Sequence, residues 1–337
     1  NKFCDVHFFG GGIQGYREKN FCQGIKNCLV GRQVRKDWRL LVWKSADIDW
    51  VDRVKNIWLS SIKFTTMKKQ ILTAALLLLA MAAYSQEIGL QLYSLRNELK
   101  TEVPGTIAKV REWGVKEVEG GGTYGMSMEW FQKLLKENDI KVVSVGVDFN
   151  ELASPQKAID NAQAFGAKYV VTFWIPHKGD TFTIEDTKKA VETFNKAGKI
   201  LADSGLAFCY HPHGYEFRPY GKETLFDYLV KNTDPRYVNF EMDVFWIKHP
   251  GQDPVALLKK YPNRFPLMHL KDRKPGTPGN QNGHADVESN VVLGQGDVNI
   301  AAVMKAAKKA GVKHYFIEDE SSRSVEQIPQ SLAYLKS

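Results

Sequence analysis

Eight β-rich runs alternate with eight amphipathic segments between residues 86 and 337, which predicts a single-domain α/β protein of the (β/α)8 barrel type. The 252 residues of that stretch match the roughly 250 typical of such a TIM barrel. Strict alternation implies parallel strands with right-handed crossovers, and eight units favour closure over an open, doubly wound sheet. No GxGxxG follows the first strand, so the dinucleotide-binding version of the open sheet loses its main support.

The chain ahead of the barrel has a different character. Residues 1–66 carry 12 Lys+Arg against 6 Asp+Glu, three of the four cysteines and four of the eight tryptophans, with no sustained hydrophobic period. From Met67 the sequence runs MKKQILTAALLLLAMAAYSQE. Lys68 and Lys69 form a charged n-region, residues 71–83 an apolar stretch with Thr73 its one polar residue, and Ala83 and Ser85 the small residues of a cleavage site. That pattern is a secretory signal peptide over 67–85, and it predicts a periplasmic or secreted protein. The apolar run is short of the ~20 residues of a membrane span, and no Cys follows it, so no stable membrane anchor is expected. A buried core helix is the bland alternative. Because a signal peptide works at an N-terminus, Met67 is read as the true start and residues 1–66 as translated upstream sequence; a genuine N-terminal extension is the rival.

Within 86–337 the expected strands are 88–93, 115–119, 140–147, 168–173, 206–210, 237–242, 265–270 and 312–317. Helical patterns lie at 104–113, 127–138, 155–165, 184–203, 222–232, 253–261, 299–310 and 324–336. Four junctions share one grammar: Trp113-Gly114-Val115, Phe165-Gly166-Ala167, Ser204-Gly205-Leu206 and Ala310-Gly311-Val312. Each puts Gly where a helix must stop in the left-handed region before a strand begins. Ser154-Pro155 and Asp253-Pro254 open helices. Gly294-Gln-Gly296-Asp297 suggests a tight turn with an N-cap, and 275–289 a long loop over the mouth, lid or plain surface.

Composition narrows the function. The barrel stretch holds 32 basic and 32 acidic residues, so the basic balance of the whole chain, +8, resides upstream. A neutral body offers no footprint for phosphate backbones, which excludes nucleic acid as a partner. The one remaining cysteine, Cys209, sits mid-strand as a small core residue and leaves neither a disulfide nor a CxxC zinc site.

In such barrels the chemistry gathers at the C-terminal ends of the strands. Here those ends carry Glu119 with Gly120-Gly121-Gly122, Trp174 with His177, His211-Pro-His213-Gly-Tyr-Glu216, Asp243 followed by Trp246, His269-Leu-Lys271-Asp272, and Glu318-Asp319-Glu320. Five of the seven histidines in the body lie at or near strand ends. Charged groups directly after apolar strands cost desolvation unless paired or metal-bound. Imidazole and carboxylate donors without thiolate suit Mg²⁺, Mn²⁺, Co²⁺ or Zn²⁺. Each residue has a bland reading: loop histidines, Asp243 as a helix cap, His269 and Asp272 as a turn and ion pair, Glu318 and Glu320 as solvated charges. All would have to hold at once on four consecutive strands. The triglycine loop is weak evidence for a phosphate cradle.

With these motifs in view, the chain resembles the sugar phosphate isomerase/epimerase group of xylose isomerase-like barrels, over residues 88–335. The strongest likeness is His211-Pro-His213-Gly-Tyr-Glu216-Phe217, similar to that group's HxHxxEF signature; His269-Leu270-Lys271-Asp272 and Phe316-Ile317-Glu318-Asp319 resemble its strand-7 and strand-8 motifs. In the related ketose epimerases Glu, Asp, His and Glu from strands 5 to 8 hold a divalent metal. The resemblance implies Asp243, His269 and Glu318 for the last three. At strand 5 His211 stands where those relatives have Glu, so the fourth ligand is His211 or Glu216. Trp246 stands where they place a substrate-binding His. Glu119, Trp174, His177 and Trp246 are the expected substrate contacts, with Tyr93, Trp174 and Trp246 available to stack on sugar.

The resemblance implies a small-molecule carbohydrate substrate enolised at a divalent metal. His211, His213 or Glu216 would take the proton, and Lys271 or a His would act as donor. Returning the proton gives isomerisation or epimerisation, the leading expectation. Expelling a β-oxygen gives a lyase or dehydratase acting on a 3-keto glycoside or cyclitol. A non-catalytic carbohydrate-binding barrel is the alternative from another class. An abasic-site nuclease of the related barrels would need a richer His cluster and a basic face. Assembly as a homo-oligomer stays open.

Overall fold

A computed structural model describes residues 87–337. The expectations for 1–66 and for the export signal at 67–85 lie outside the described residues. Among those described, eight parallel strands close in sequence order: β1 (Ile88–Gln91), β2 (Glu117–Gly120), β3 (Lys141–Gly146), β4 (Tyr169–Thr172), β5 (Ala207–Tyr210), β6 (Val238–Asp243), β7 (Leu267–Leu270) and β8 (His314–Ile317). β8 returns to β1 through the pairs Ile88–Tyr315 and Leu90–Ile317. The protein is a TIM barrel. The main helices between and after the strands are α1 (Val103–Glu112), α2 (Met128–Glu137), α3 (Gln156–Phe165), α4 (Ile184–Asp203), α5 (Leu225–Asn232), α6 (Pro254–Lys260), α7 (Ile300–Ala310) and α8 (Ser324–Lys336). None of the described helices is long and apolar enough to cross a membrane.

Local chemistry explains the boundaries. Gly114, Gly166, Gly205 and Gly311 all take positive φ, between +68° and +84°, at the helix-to-strand junctions. Thr183 with Asp186, and Thr224 with Asp227, form reciprocal capping boxes at α4 and α5. The helix expected over 222–232 begins only at Leu225, because Pro219–Tyr220 and Glu223–Thr224 pair as a small antiparallel hairpin. The expected cap at Asp297 is Asn299 instead, whose side chain accepts from the Ala302 amide, while Asp297 pairs with Arg273 at 2.6 Å.

The apolar core has two parts. Leu90, Val118, Phe208, Phe240 and Tyr315 pack outward against Ile107, Phe131, Phe194, Val303 and Ile328 of the helical shell. A second cluster comes from strands alone: Val143, Tyr169, Val171, Cys209, Leu267 and Phe316 fill the barrel interior. These apolar layers close the barrel below and leave its upper end to polar side chains. Loop 275–289 is fixed to that end: Gln281 accepts from Arg218 at 3.0 Å and donates to the Phe217 carbonyl at 3.2 Å.

Candidate metal centre

The strand ends deliver Glu119 from β2, Glu241 and Asp243 from β6, and His269 from β7. His211, Lys271 and Glu318 follow directly after β5, β7 and β8. All seven are buried. Register makes Asp243 the lateral neighbour of His269, and Glu119 the neighbour of both Gln91 and Ser144.

Asp243 divides its work. Oδ1 caps the short helix Val244–Lys248 by accepting from the amides of Phe245 (2.7 Å) and Trp246 (3.2 Å). Oδ2 has no hydrogen-bond partner and lies 3.8 Å from His211 Nε2 and 3.9 Å from His269 Nδ1. Glu318 Oε2 is 3.3 Å from the same Nδ1 and 3.1 Å from Lys271 Nζ. On the other edges of the two rings, His211 Nδ1 is 3.1 Å from Glu241 Oε2, and His269 Nε2 is 2.7 Å from Glu119 Oε1. Two overlapping groups therefore have donors close enough to hold a cation: Asp243, His269 and Glu318, and His211, Glu241 and His269. A buried carboxylate oxygen without a partner is costly, and this all-nitrogen-and-oxygen set fits a divalent cation.

The electrostatics agree. Burial lowers the pKa of both His211 and His213, the latter to about 4, so both rings are neutral near pH 7. Burial also opposes charge on His269, yet Glu241, Glu318 and Glu119 outweigh it and hold that imidazole well above its ordinary range. Burial works against Lys271 too, and Glu318, Glu320 and Asp243 overcome it. For Glu318 burial favours the neutral acid, but Lys271 and His269 hold the carboxyl well below the usual range. Burial, with Glu119 alongside, pushes Glu241 well up; burial moves Asp243 up to about 6. Raised acids beside a raised imidazole mark surplus negative charge in a dry site.

A cavity of about 450 Å³ opens onto the cluster. His211, His213 and Glu318 line it, with Gln91, Tyr93, Arg96, Tyr124 and Glu320. The other expected site residues fall elsewhere. Glu216 accepts from the Tyr210 hydroxyl and from the amides of His213 (3.2 Å) and Gly214 (2.9 Å), which ties it into its own turn and keeps it out of both ligand groups. Burial pushes it up to about 7 there. Glu119 is fully buried, with Gln91 and Ser144 donating to it. His177 bonds the Ile175 carbonyl and stacks on Trp174 at 5.0 Å, in an aromatic patch with Tyr215 and Phe182 beside the cavity. Trp246 is buried against Phe245, His213 and His249.

Sequence reasoning missed Glu241, Gln91, Ser144 and Arg96. Glu241 had a signal: it is an acid inside an apolar strand, two residues before Asp243, and a period of 2 puts both on one face. Gln91, Ser144 and Arg96 carried none, being ordinary residue types at ordinary positions.

A closed parallel barrel whose mouth buries imidazoles among carboxylates defines a class of enzyme-type barrels with a candidate metal centre. Residues 107–337 match the model of the xylose isomerase-like TIM barrel family, and the chain belongs to that family. The fold also superimposes on a sugar phosphate isomerase/epimerase from Parabacteroides distasonis: 27% identity, TM-score 0.62, covering 74% of this chain and 93% of that one. A zinc-bound IolI protein shares the fold at 15% identity and TM-score 0.59, over 74% of this chain and 96% of that one. An inosose dehydratase from Clostridium beijerinckii is 26% identical over 181 residues, 47% of this chain. The match spans only 59% of that relative's length.

Proposed function

We propose that this barrel is a metal-dependent enzyme that enolises a keto sugar, with isomerisation or epimerisation as the outcome. The observation that carries the reading is the unpartnered Asp243 Oδ2, which faces one nitrogen of each of two buried imidazoles within 4 Å. His211, Asp243, His269 and Glu318 would hold the cation. A divalent cation there supplies Lewis acidity that makes a C–H beside a carbonyl easier to ionise.

The chain's own residues supply the rest. His213 lines the cavity, its ring neutral near pH 7 and its Nδ1 without a partner, which suits it to accept a carbon-bound proton. Glu318, held ionised by Lys271, stands on the same cavity wall as the second base. Returning the proton at a different atom, or on the other face, isomerises or epimerises the sugar. The Lys271 ammonium, clamped by Glu318 and Glu320, stabilises negative charge developing on substrate oxygen.

Dehydration is the second reading, favoured by the similarity to inosose dehydratase. There the same proton abstraction precedes loss of a β-oxygen, with Lys271 as its proton donor. The protein is incubated in D₂O with free ketoses, 3-keto glucosides and keto cyclitols, metal-free and after reloading, and followed by NMR. Metal-dependent deuterium uptake into intact sugar is the expected result. Loss of water or aglycone moves the reaction to elimination. No exchange with any keto compound at any metal loading overturns both. Export directed by residues 67–85 belongs to the same reading, and periplasmic fractionation with N-terminal sequencing tests it.

A further inference from the structure

His211 and His269 each have two ring nitrogens, and the two edges of each ring meet carboxylates at different spacings. Two atoms each about 2.1 Å from one cation at tetrahedral or octahedral angles lie roughly 3.0–3.4 Å apart. On the outer edges the separations are of that order or slightly longer: 3.3 Å from His269 Nδ1 to Glu318, 3.9 Å to Asp243, and 3.8 Å from His211 Nε2 to Asp243. The outer edges have room for a cation between the donors. The inner edges are closer: His269 Nε2 sits 2.7 Å from Glu119 Oε1, below that range, and His211 Nδ1 sits 3.1 Å from Glu241 Oε2, at direct hydrogen-bond distance.

We propose that Glu119 and Glu241 are positioning residues that fix which nitrogen of each histidine faces the cation: Nδ1 of His269 and Nε2 of His211. This rests on the metal-dependent reading above. The assignment gives the two rings opposite tautomers, with His269 donating from Nε2 to Glu119 and His211 donating from Nδ1 to Glu241. Glu119 is held for that role. Gln91 Nε2 donates to its Oε1 at 2.6 Å and Ser144 donates to its Oε2, so both of its oxygens are engaged by buried partners. Glu241 is likewise sealed from solvent, with Oε1 at 3.4 Å from His269 Nε2, so the two acids brace both rings from below.

The test is long-range ¹H–¹⁵N NMR on full-length protein with labelled histidine, loaded with Zn²⁺, together with Zn²⁺ affinity by competition titration. The expected spectrum has metal-shifted Nδ1 and protonated Nε2 for His269, and the reverse for His211. Glu119→Gln is expected to move the His269 Nε2–H proton upfield and weaken Zn²⁺ binding about 10- to 100-fold. Glu241→Gln is expected to do the same for His211. Gln91→Met, which frees Glu119 without removing it, gives a smaller shift of the same sign, and circular dichroism checks that each variant is folded. If a Gln variant does not fold, the wild-type tautomers and Gln91→Met decide the matter. Zn²⁺ on the opposite nitrogens, or unchanged affinity and proton shifts in the folded variants, overturns the positioning role and leaves the metal reading standing. Wild-type protein that takes up no Zn²⁺ overturns both.

Discussion

Strand β2 carries two glutamates one turn of the pleat apart, and each meets a histidine. At the lower end Glu117 pairs with His314 at 2.8 Å, both partly open to water and His314 resting edge-on against Tyr169. Two residues higher, Glu119 meets His269 at 2.7 Å with neither group exposed. The lower pair is complete in itself. The upper one belongs to a network with three further acids and a lysine, and Asp243 and Glu241 each keep one oxygen without a hydrogen bond. The same residue pairing thus stabilises a rim at one end of the barrel and builds an unsatisfied, charge-rich site at the other. Solvent access decides between them: charge is tolerated cheaply where water reaches and only with specific partners where it does not.

Five substitutions would break or sharpen this contrast. His269→Ala should reduce bound divalent metal and keto-sugar exchange by more than about 100-fold, because it removes a donor shared by both ligand groups. His314→Ala should leave both within about twofold, because the Glu117–His314 pair lies at the other end of the strand and outside both ligand groups. Metal analysis of the two purified variants, with exchange in D₂O, tests the difference. Equal losses would erase the distinction between the two ends.

Leu267→Ala, in the apolar layer directly below the site, should cost about 2–5 kcal/mol in denaturant unfolding. Since Leu267 is the lateral neighbour of Glu241, it should also loosen metal binding, by less than His269→Ala.

Glu241→Gln should act in opposite directions on stability and on binding. The carboxyl of Glu241 is held well above its ordinary range by burial and by Glu119, so its folded-state pKa is raised. A raised acid is compatible with folding in acid and becomes a growing penalty as pH climbs above the ordinary carboxylate range. Metal-free Glu241→Gln should therefore unfold at a higher temperature than metal-free wild type at neutral pH, by roughly 2–4 °C for each kcal/mol relieved. The gain should vanish in acid. Calorimetry in EDTA across pH 4–8 measures it, and a lower Tm throughout would mean that the mouth is not strained without its cation.

Asp227 supplies the smallest effect and the opposite sign. It caps α5, and although burial raises its pKa, Lys260 at 2.6 Å and the Tyr261 hydroxyl bring it below the ordinary value. Its stabilisation is present above the ordinary carboxylate range and is lost as pH falls through the folded value. Asp227→Asn should cost about 0.5–2 kcal/mol at neutral pH, the range for a lost helix cap, and the difference should shrink in acid. A thermal-melt series over pH 2–7 checks this.

Much of the barrel was legible because its signals are local. The four glycine junctions stop helices where the chain needs positive φ, and Thr183, Thr224 and Asp253 open helices with their own side chains. The departures have equally local causes. The short hairpin before α5 and the turn at Leu92–Leu95 each replace an extension of a regular element. In the latter the Gln91 side chain accepts the Tyr93 amide and ends the strand.

The candidate site was legible only in part. His211, Asp243, His269, Lys271 and Glu318 stand out as polar residues following apolar strands, and the structure brings all five together. Glu216 looked equivalent in sequence, but a left-handed Gly214 folds its turn back, and its carboxylate caps that turn. Glu119 looked like a strand-end contact for substrate, yet the register with Gln91 and Ser144 turns it under His269.

The sequence by itself determined the alternation, the helix caps and the ring of ionisable side chains at the strand ends, since these depend on near neighbours and on a period of 2 or 3.6. Only the tertiary structure decided which carboxylate oxygens stay unpartnered and which carboxylate meets each ring nitrogen of His211 and His269. Those depend on closing β8 onto β1, which fixes the separation of side chains up to two hundred residues apart to within a hydrogen bond's length.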